Sequence, residues 1–238
     1  TLLSAAVAMV IAVLLERIAY RPLRFAPRLV PLITAIGASY FLEYTFRGLY
    51  GSGLKAYPEI YILKGTWNLG GITIYRTQAV VIISALLMML ILYTIIQRTK
   101  IGKAMRAVSE DKDSAALMGV DVDKTISTTF ALGGAAAGIG GILYIILFPI
   151  AHFYMGFIPG LKAFTAAVLG GIGNVPGAFL GAMALGVLES MGPSLFLNGL
   201  GIPAPYQLKD AIAFTILVLI LIFRPTGILG ERLTQAKA

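Results

Sequence analysis

The sequence predicts an all-α fold: a polytopic transmembrane helical bundle that contains a broken or re-entrant helical hairpin and a cytoplasmic amphipathic helix. Of the 238 residues, 58% are hydrophobic and 13% are charged, against roughly 25% charged residues in an average soluble domain. A water-soluble fold of this length could not bury so much apolar surface. The apolar residues collect in runs of about 20, the length that spans a hydrocarbon core of about 30 Å. Lipid is therefore the expected solvent for most of the chain.

Five apolar runs predict complete membrane-spanning helices. Residue 1 is a threonine inside the first run, with no charged leader before it, so we expect the chain to begin within a helix and to lack one or more upstream segments. The chain, residues 1–238, is expected to form a single transmembrane domain. The predicted spans are residues 1–15, 29–46, 79–96, 125–148 and 206–223.

A sixth apolar run, residues 163–189, is interrupted by the glycine-rich segment GGIGNVPG at residues 170–177. The run of about 10 residues before the interruption extends a helix by only about 15 Å, half of a bilayer core. Irregular backbone at membrane depth is tolerated only where it packs against protein or lines a water-filled cavity. We therefore predict a helical hairpin, either two re-entrant half-helices or two short spans, with the glycine-rich segment at its tip.

Pairs of small residues four positions apart occur in this hairpin and in the span before it. Such pairs allow the backbones of two membrane helices to approach closely. We therefore expect tight helix packing at Gly177 with Gly181, at Gly134 with Gly138, and at Ala137 with Gly141.

The distribution of Lys and Arg predicts the orientation, because cytoplasmic loops carry an excess of them. The loops at residues 16–28 and 97–124 hold four and six such residues. We expect both loops, and the C-terminal tail with Arg232 and Lys237, to lie in the cytoplasm. The loop at residues 47–78 is then outside, and the hairpin must begin and end on the outer side.

The loop at residues 97–124 is much longer than the few residues that usually join antiparallel helices. Residues 103–119 predict a short amphipathic helix, with Arg106 and Glu110 spaced as an i,i+4 pair and Gly119 placed to end it. Small residues on one flank, Ala107, Ala115 and Ala116, would allow close approach to a partner groove. A solvated surface helix is the alternative.

Several composition-level observations exclude other classes of protein. The chain has no cysteine and a single histidine, His152, so it offers no disulfide and no thiolate metal site. The formal charge is +8, but the basic residues flank apolar runs, where they set orientation rather than bind nucleic acid. The sequence contains no G-x-x-x-x-G-K-[ST] phosphate loop and no H-E-x-x-H or G-x-S-x-G motif. An enzyme is therefore not expected.

Blocks along nearly the whole chain resemble the permease subunits of branched-chain amino acid ABC transporters of the LivH type. The resemblance is densest in the loop at residues 97–124, where Ala115 and Ala116 precede Gly119. The general importer motif E-A-A-x-x-x-G is not reproduced, because the glutamate is missing and the spacing is one residue shorter. The matching blocks are residues 16–24, 32–37, 101–107, 109–111, 115–120, 162–177 and 225–230.

The resemblance implies a subunit of an ATP-driven importer of leucine, isoleucine or valine in the bacterial inner membrane. It implies a second permease subunit, identical or not, two cytoplasmic ATPase subunits that bind the ATP, and a periplasmic substrate-binding protein. It implies no cofactor in this chain. It further implies that residues 97–124 form a coupling loop whose helix docks on an ATPase. The implied coupling residues are Gly102, Arg106, Glu110, Asp111, Ala115, Ala116 and Gly119.

The broken hairpin is the candidate substrate path. Half-helix termini and unwound carbonyls can bind the charged ends of a zwitterion. A purely structural kink is the alternative. The candidate residues are Thr165, Gly170, Gly171, Gly173, Asn174 and Gly177.

Ionisable residues near membrane depth are few. We expect ion pairing or snorkelling of Glu43 and Glu189 to account for both, and an interfacial position for Lys209 and Asp210. A stand-alone secondary transporter or channel would need ion-coupling carboxylates within its spans. A permease of the same family for urea or a short amide remains a second alternative.

Overall fold

The computed structural model describes residues 1–23, 26–27, 29–58, 65–69 and 72–193, and residues 210, 211, 215, 218, 219, 222, 227 and 229. These residues belong to two compact units, Thr1–Gly156 and Phe157–Ala238. Most of the predicted span at residues 206–223 and all of residues 230–238 lie outside the described residues. The described fold is mostly α-helical, as predicted. Its helices are α1 (Leu2–Leu15), α2 (Leu29–Tyr50), α3 (Arg76–Arg98), α4 (Lys100–Glu110), α5 (Lys112–Leu117), α6 (Val122–Leu147), α7 (Phe157–Gly170) and α8 (Val175–Gly192).

Four helical segments in the described part of the chain are long and apolar enough to cross a membrane. They agree with the predicted spans at residues 1–15, 79–96 and 125–148, and they add the second arm of the hairpin. The predicted span at residues 29–46 is covered by α2, which has 22 residues and is therefore about 33 Å long. The four segments are Leu2–Leu23, Arg76–Arg98, Val122–Leu147 and Val175–Gly192.

The first helical segment extends further than predicted. Residues 16–28 were expected to form a loop, but α1 continues through a π-helical turn, Glu16–Tyr20, and a 3₁₀ turn, Arg21–Leu23. The charged residues do not end the helix, because neither Glu nor Arg breaks a helix and Pro22 is the first residue that does. The prediction of a loop from Glu16 onward was wrong.

Helices α1 and α6 pack with their backbones in contact. A methyl group on Gly134 would lie 2.5 Å from the Ala12 Cβ, and one on Gly138 would lie 2.6 Å from the Ser4 carbonyl oxygen. The Ser4 hydroxyl donates a hydrogen bond to the Gly138 carbonyl at 2.8 Å. The predicted close packing at Gly134 and Gly138 is confirmed.

The second predicted pair on α6 makes no comparable contact among the described residues. Ala137 and Gly141 are exposed. Among the described residues, no atom lies within 4 Å of a methyl group placed on Gly141. Close packing at this pair stays a prediction, because both residues lie on a face of α6 that the described residues leave open.

Two short antiparallel pairs of strands interrupt the helical pattern. Strand β1 (Lys55–Ala56) pairs with β4 (Ile150–Ala151), and β2 (Thr66–Leu69) pairs with β3 (Ile72–Tyr75) in a hairpin with Thr66 opposite Tyr75. The first pair joins the segment after α2 to the segment after α6. These two helices therefore end on the same face of their unit, as the alternation of spans requires.

The second unit contains the predicted helical hairpin. Helices α7 and α8 are joined by residues 171–174, so the tip lies within the predicted glycine-rich segment. The first arm has 14 residues, about 21 Å, and is longer than expected. Pro159 lies in its first turn, where its missing N–H would have no helical partner, so the helix can begin before it.

Candidate functional site

The segment between α3 and α6 begins with a sharp corner at Thr99. The Thr99 backbone is extended, and its hydroxyl oxygen accepts the Gly102 N–H at 3.1 Å, which caps the start of α4. The first turn of α4 lies directly on the end of α3. A methyl group on Gly102 would lie 2.1 Å from the Ile96 carbonyl oxygen. Gly102 therefore positions α4 against the last turn of the membrane span.

The segment was predicted to hold one helix over residues 103–119, and the structure corrects this. Helix α4 ends at Glu110 and α5 begins at Lys112, with Asp111 extended between them. The Asp111 carboxylate accepts the Asp113 N–H at 2.8 Å, the Ser114 N–H at 3.2 Å and the Ser114 hydroxyl at 2.9 Å. An aspartate that caps a new helix competes with continuation of the old one.

These hydrogen bonds also affect the ionisation of the Asp111 carboxyl. They stabilise the ionised carboxylate and hold the pKa of the Asp111 carboxyl below its usual value, the backbone and hydroxyl donors of Ser114 being the main causes. The joint between α4 and α5 is therefore capped by an ionised Asp111 at neutral pH.

The end of α5 is formed by a Schellman motif. The Gly119 N–H donates to the Ala116 carbonyl at 2.9 Å, and the Val120 N–H donates to the Ala115 carbonyl at 3.0 Å. Gly119 has φ of +83°, in the left-handed region where glycine has no Cβ penalty. The predicted helix end at Gly119 is confirmed.

The predicted flank of small residues is divided between two environments. Ala115 is buried within the chain, whereas Ala116 is exposed. The Arg106 guanidinium donates a hydrogen bond to the Gln97 side-chain oxygen at 2.5 Å. This partner was not predicted.

The apolar residues that this segment exposes most are not the predicted alanines but Leu117 and Met118, which are 89% and 84% accessible. The sequence carries a signal for them that was missed. Two large apolar residues directly before a helix-ending glycine lie where the chain reverses, and a reversal leaves little of the molecule for them to pack against.

The candidate residues of the hairpin lie close together, and several serve its internal packing. Thr165 is buried and donates its hydroxyl hydrogen to the Leu161 carbonyl at 2.8 Å. A methyl group on Gly170 would lie 2.0 Å from the Gly177 carbonyl oxygen, and one on Gly181 would lie 2.3 Å from the Ala166 carbonyl oxygen. The two arms are therefore in backbone contact, as the small-residue spacing predicted.

The tip of the hairpin is a capped turn. Gly171 and Gly173 have φ of +107° and +94°. The Asn174 side-chain oxygen accepts the Gly177 N–H at 3.1 Å, and its amide nitrogen donates to the Leu229 carbonyl at 3.0 Å. Asn174 thus caps α8 and joins the tip to residue 229. Contact of these residues with a substrate stays a prediction.

A charged cluster lies at the other end of the hairpin. The Lys162 Nζ lies 2.9 Å from the Glu189 Oε2 and 2.7 Å from the Asp210 Oδ1. Ion pairing of Glu189 is therefore confirmed, and Asp210 shares the same lysine.

Glu43 accepts a hydrogen bond from the Ser39 hydroxyl at 3.3 Å, whereas the Arg47 guanidinium lies 5.3 Å from the Phe153 ring centre.

Sequence reasoning missed Glu16 as a buried residue. Its side chain is fully buried, and the Ser127 hydroxyl on α6 donates to its Oε2 at 2.7 Å. One turn further on, Arg21 forms an ion pair with Asp123 on α6. Continuing the helical repeat of α1 past Leu15 would have placed Glu16 beside α6. Among the described residues, no cluster of His, Asp and Glu could hold a metal ion.

Comparison with known proteins identifies the family. The family model described as "Branched-chain amino acid transport system / permease component" matches residues 1–221. The branched-chain amino acid permease BraD of Pseudomonas aeruginosa is 40% identical over 220 residues, and LivH of Salmonella typhimurium is 41% identical over 222 residues. Each alignment covers 91% of this chain and 69% of the relative.

More distant relatives are also found. The probable branched-chain amino acid transport permease LivM of Methanocaldococcus jannaschii is 29% identical over 144 residues, which cover 56% of this chain and 41% of that protein. No solved structure matches the chain. Together with the apolar helices, the family match and the identity to BraD and LivH show that this chain is a multi-pass membrane protein and belongs to the branched-chain amino acid transport system permease family.

Proposed function

We propose that this chain is the transmembrane permease subunit of an ATP-driven importer of leucine, isoleucine and valine. The relatives BraD and LivH are named high-affinity branched-chain amino acid transport permeases. The observation that carries the proposal is the ordered segment between α3 and α6, which ends in the exposed pair Leu117 and Met118. An exposed apolar pair outside the apolar spans favours a protein partner.

We assign that partner as an ATPase subunit. The given sequence has no phosphate loop, so we expect a separate subunit to bind the ATP and expect no cofactor in this chain. Of the coupling residues, the exposed ones would form the docking surface with Leu117 and Met118 as the apolar anchor, while the buried Gly102 and Ala115 would hold the segment in place. The exposed ones are Arg106, Glu110, Asp111, Ala116 and Gly119. Two ATPase subunits, a second permease subunit and a periplasmic binding protein complete the assembly. The match to a LivM protein supports a second permease of related sequence.

The orientation follows from charge. The segment between α3 and α6 carries six Lys and Arg residues over positions 97–124, so we expect it to lie in the cytoplasm. With this orientation we expect the chain to lie in the bacterial inner membrane with its C-terminus in the cytoplasm.

The structure suggests how docking moves the membrane helices. Helix α6 directly follows the docking segment and is bound to α1 by Gly138, Ser127 and Asp123. When the ATPases close, α6 and α1 are expected to move together as one body. This movement would open the substrate path alternately to each side.

We place the substrate path along the hairpin tip. Gly173 is exposed at the tip, where we expect the backbone to meet the substrate, and the Asn174 side chain shapes the turn beside it through its hydrogen bonds to Gly177 and Leu229. Thr165, Gly170, Gly171 and Gly177 set the geometry of the tip rather than offer side chains. The polar turn suits the charged ends of a zwitterion, because helix termini bind such groups.

The experiment is transport by the reconstituted complex. The chain is purified with its candidate ATPases and second permease, and uptake of labelled leucine into vesicles is measured with and without binding protein and ATP. We expect uptake only when all components are present. Uptake without ATP would overturn the proposal in favour of a secondary transporter. Uptake of labelled urea but not leucine would identify the family's other substrate class.

A further inference from the structure

The end of α7 is in contact with two residues from much later in the chain. Carbonyl groups in the last turn of a helix have no partner within that helix, and the Leu229 N–H donates to the Gly170 carbonyl at 3.0 Å. A methyl group on Gly227 would lie 2.7 Å from the Val168 carbonyl oxygen. Gly227 has φ of +80°, in the left-handed region that favours glycine. Gly227 and Leu229 therefore lie against the last backbone groups of α7.

Leu229 is bound at the hairpin tip through both of its main-chain polar groups. Its N–H donates to Gly170 at the C-terminal end of α7, and its carbonyl accepts the Asn174 side-chain amide at 3.0 Å at the start of α8. The residue is 42% exposed. The two hydrogen bonds, rather than burial of the leucine side chain, therefore hold it at the tip.

These two hydrogen bonds have the polarity that a free amino acid requires. The C-terminal end of a helix carries partial negative charge and favours a cation, whereas the N-terminal end carries partial positive charge and favours an anion. A free amino acid has an ammonium and a carboxylate on one carbon atom, as the N–H and the carbonyl of Leu229 flank one Cα. The tip thus binds one residue of its own chain in the way that it could bind a free amino acid.

We propose that the hairpin tip is a binding site for the main chain of an amino acid, and that Leu229 fills this site in the described structure. A substrate would place its ammonium at the Gly170 carbonyl and its carboxylate at the Asn174 amide, after Leu229 has left both groups. Leu229 is then a latch that competes with the substrate. This inference rests on the proposed function for the identity of the competing ligand.

The substrate can displace the latch because its two groups are charged. Hydrogen bonds that involve an ionised group are roughly twice as strong as those between neutral groups, and Leu229 offers only neutral peptide groups. Leu229 is tethered to the site, however, and so has a high effective concentration there. The latch would therefore open for a bound amino acid and close again once the amino acid has left.

The latch lies at the end of the hairpin where we expect the cytoplasm. At the other end, the Lys162 Nζ lies 2.7 Å from the Asp210 Oδ1. Asp210 and Leu229 therefore contact opposite ends of the same hairpin. Because the hairpin is expected to begin and end on the outer side, the latch would close the exit for a substrate that enters from outside.

The first test measures the latch in the reconstituted complex. The chain has no cysteine, so spin labels can be placed at Leu229 and at Ile172, which is 77% exposed. Both changes leave the main-chain groups in place. We expect one short distance without substrate, and a second, longer distance whose share rises with leucine concentration. Isoamylamine, which lacks the carboxylate, and 4-methylpentanoate, which lacks the ammonium, should not produce it. An unchanged short distance at saturating leucine would overturn the proposal.

A conservative variant tests the Asn174 amide separately from the helix cap. Asn174→Asp keeps the oxygen that accepts the Gly177 N–H and loses the donor to Leu229. It should release the latch without substrate and weaken leucine binding by at least about tenfold, because a hydrogen bond to a charged group is lost. Asn68→Asp is the matched control, since it adds the same charge at an exposed position and should change neither. A closed latch and native affinity in Asn174→Asp would contradict the assignment.

A reversible covalent lock distinguishes failure of the latch from failure of the proposed function. A short bifunctional methanethiosulfonate reagent joins cysteines placed at positions 172 and 229. We expect the lock to stop leucine uptake and reduction to restore it. Full uptake with the lock in place would overturn the latch and leave the proposed function standing. No uptake by the reduced protein, with ATP and all subunits present, would overturn the proposed function and with it the amino acid as ligand.

Discussion

Gly102 is the residue that determines how the segment between α3 and α6 leaves the membrane. Its Cα lies so close to the last carbonyls of α3 that no side chain fits. The Thr99 hydroxyl caps the same turn. Together these two residues place α4 before any partner binds, which reduces the conformational entropy that docking must overcome.

We predict that Gly102→Ala separates α4 from α3 and uncouples the transporter. A methyl group there would meet the Ile96 carbonyl at 2.1 Å, and such overpacking costs about 1–3 kcal/mol. Binding-protein-stimulated ATP hydrolysis should fall by about tenfold, the ratio that corresponds to about 1.4 kcal/mol. Gly140→Ala is the matched control, because a methyl group at Gly140 has open space in the described structure. Equal activity of the two variants would contradict the role of Gly102.

Because Asp111 caps α5, we predict that the joint between α4 and α5 depends on pH. Its folded pKa lies below the ordinary value of 3.8, so the cap of α5 is fully present above that value and is lost as the pH falls through the folded pKa. Spin labels at positions 103 and 116 should give a narrow distance distribution at neutral pH and a broad one in acid well below 3.8.

The variants separate the cap from other effects of acid. Asp111→Ala should broaden the same distribution at neutral pH, because it removes the acceptor. Asp111→Asn keeps a neutral acceptor oxygen and cannot titrate, so its distance distribution should be the same at neutral pH and in acid. A narrow distribution for Asp111→Ala would show that the joint does not need the cap.

Helix α5 is a short helix that we propose to act by binding a partner subunit. It has six residues, too few to be stable alone, and it depends on Asp111 at one end and Gly119 at the other. Both ends are specified by local sequence. Between these two ends the chain exposes Leu117 and Met118.

We predict that Leu117→Gln with Met118→Gln weakens association with the ATPase subunit. Burial of such a side chain contributes about 1.5–3 kcal/mol, so the affinity should fall by at least about tenfold. Co-purification at graded ATPase concentrations measures it. Leu54→Gln, which changes another exposed leucine far along the chain, should leave the affinity unchanged. Loss of association in both variants would indicate a general defect.

The elements were predictable where one local rule decided them. The apolar runs gave α1, α3 and α6, and the glycine-rich segment gave the hairpin tip. The helix over residues 103–119 was predicted as continuous, because helix propensity was weighed and the capping of α5 by Asp111 was not. The pair of strands at Lys55 and Ile150 could not be predicted, since it depends on which loops the folded helices bring together.

In the described part of the first unit, α1 and α6 pack with their backbones in contact. The residues that join these two helices were difficult to predict. Small residues at Gly134 and Gly138 indicated close packing but not the partner helix. The burial of Glu16 was hidden because a glutamate beside Arg17 suggests a surface. Only the register of α1 on α6, fixed by the glycine contacts, brings Glu16 opposite Ser127.

We predict that the Glu16 and Ser127 contact is required for α1 to follow α6 during transport. Glu16→Ala removes the acceptor of the Ser127 hydroxyl and leaves a cavity at a fully buried site, which should destabilise the protein by about 2–4 kcal/mol. Glu16→Gln keeps both the volume and an acceptor oxygen. We expect it to retain most of the leucine uptake, while Glu16→Ala loses uptake more than it loses ATP hydrolysis. That split would show that α6 still responds to the ATPases while α1 no longer follows. Parallel losses of uptake and hydrolysis in Glu16→Ala, at equal amounts of folded protein, would contradict it.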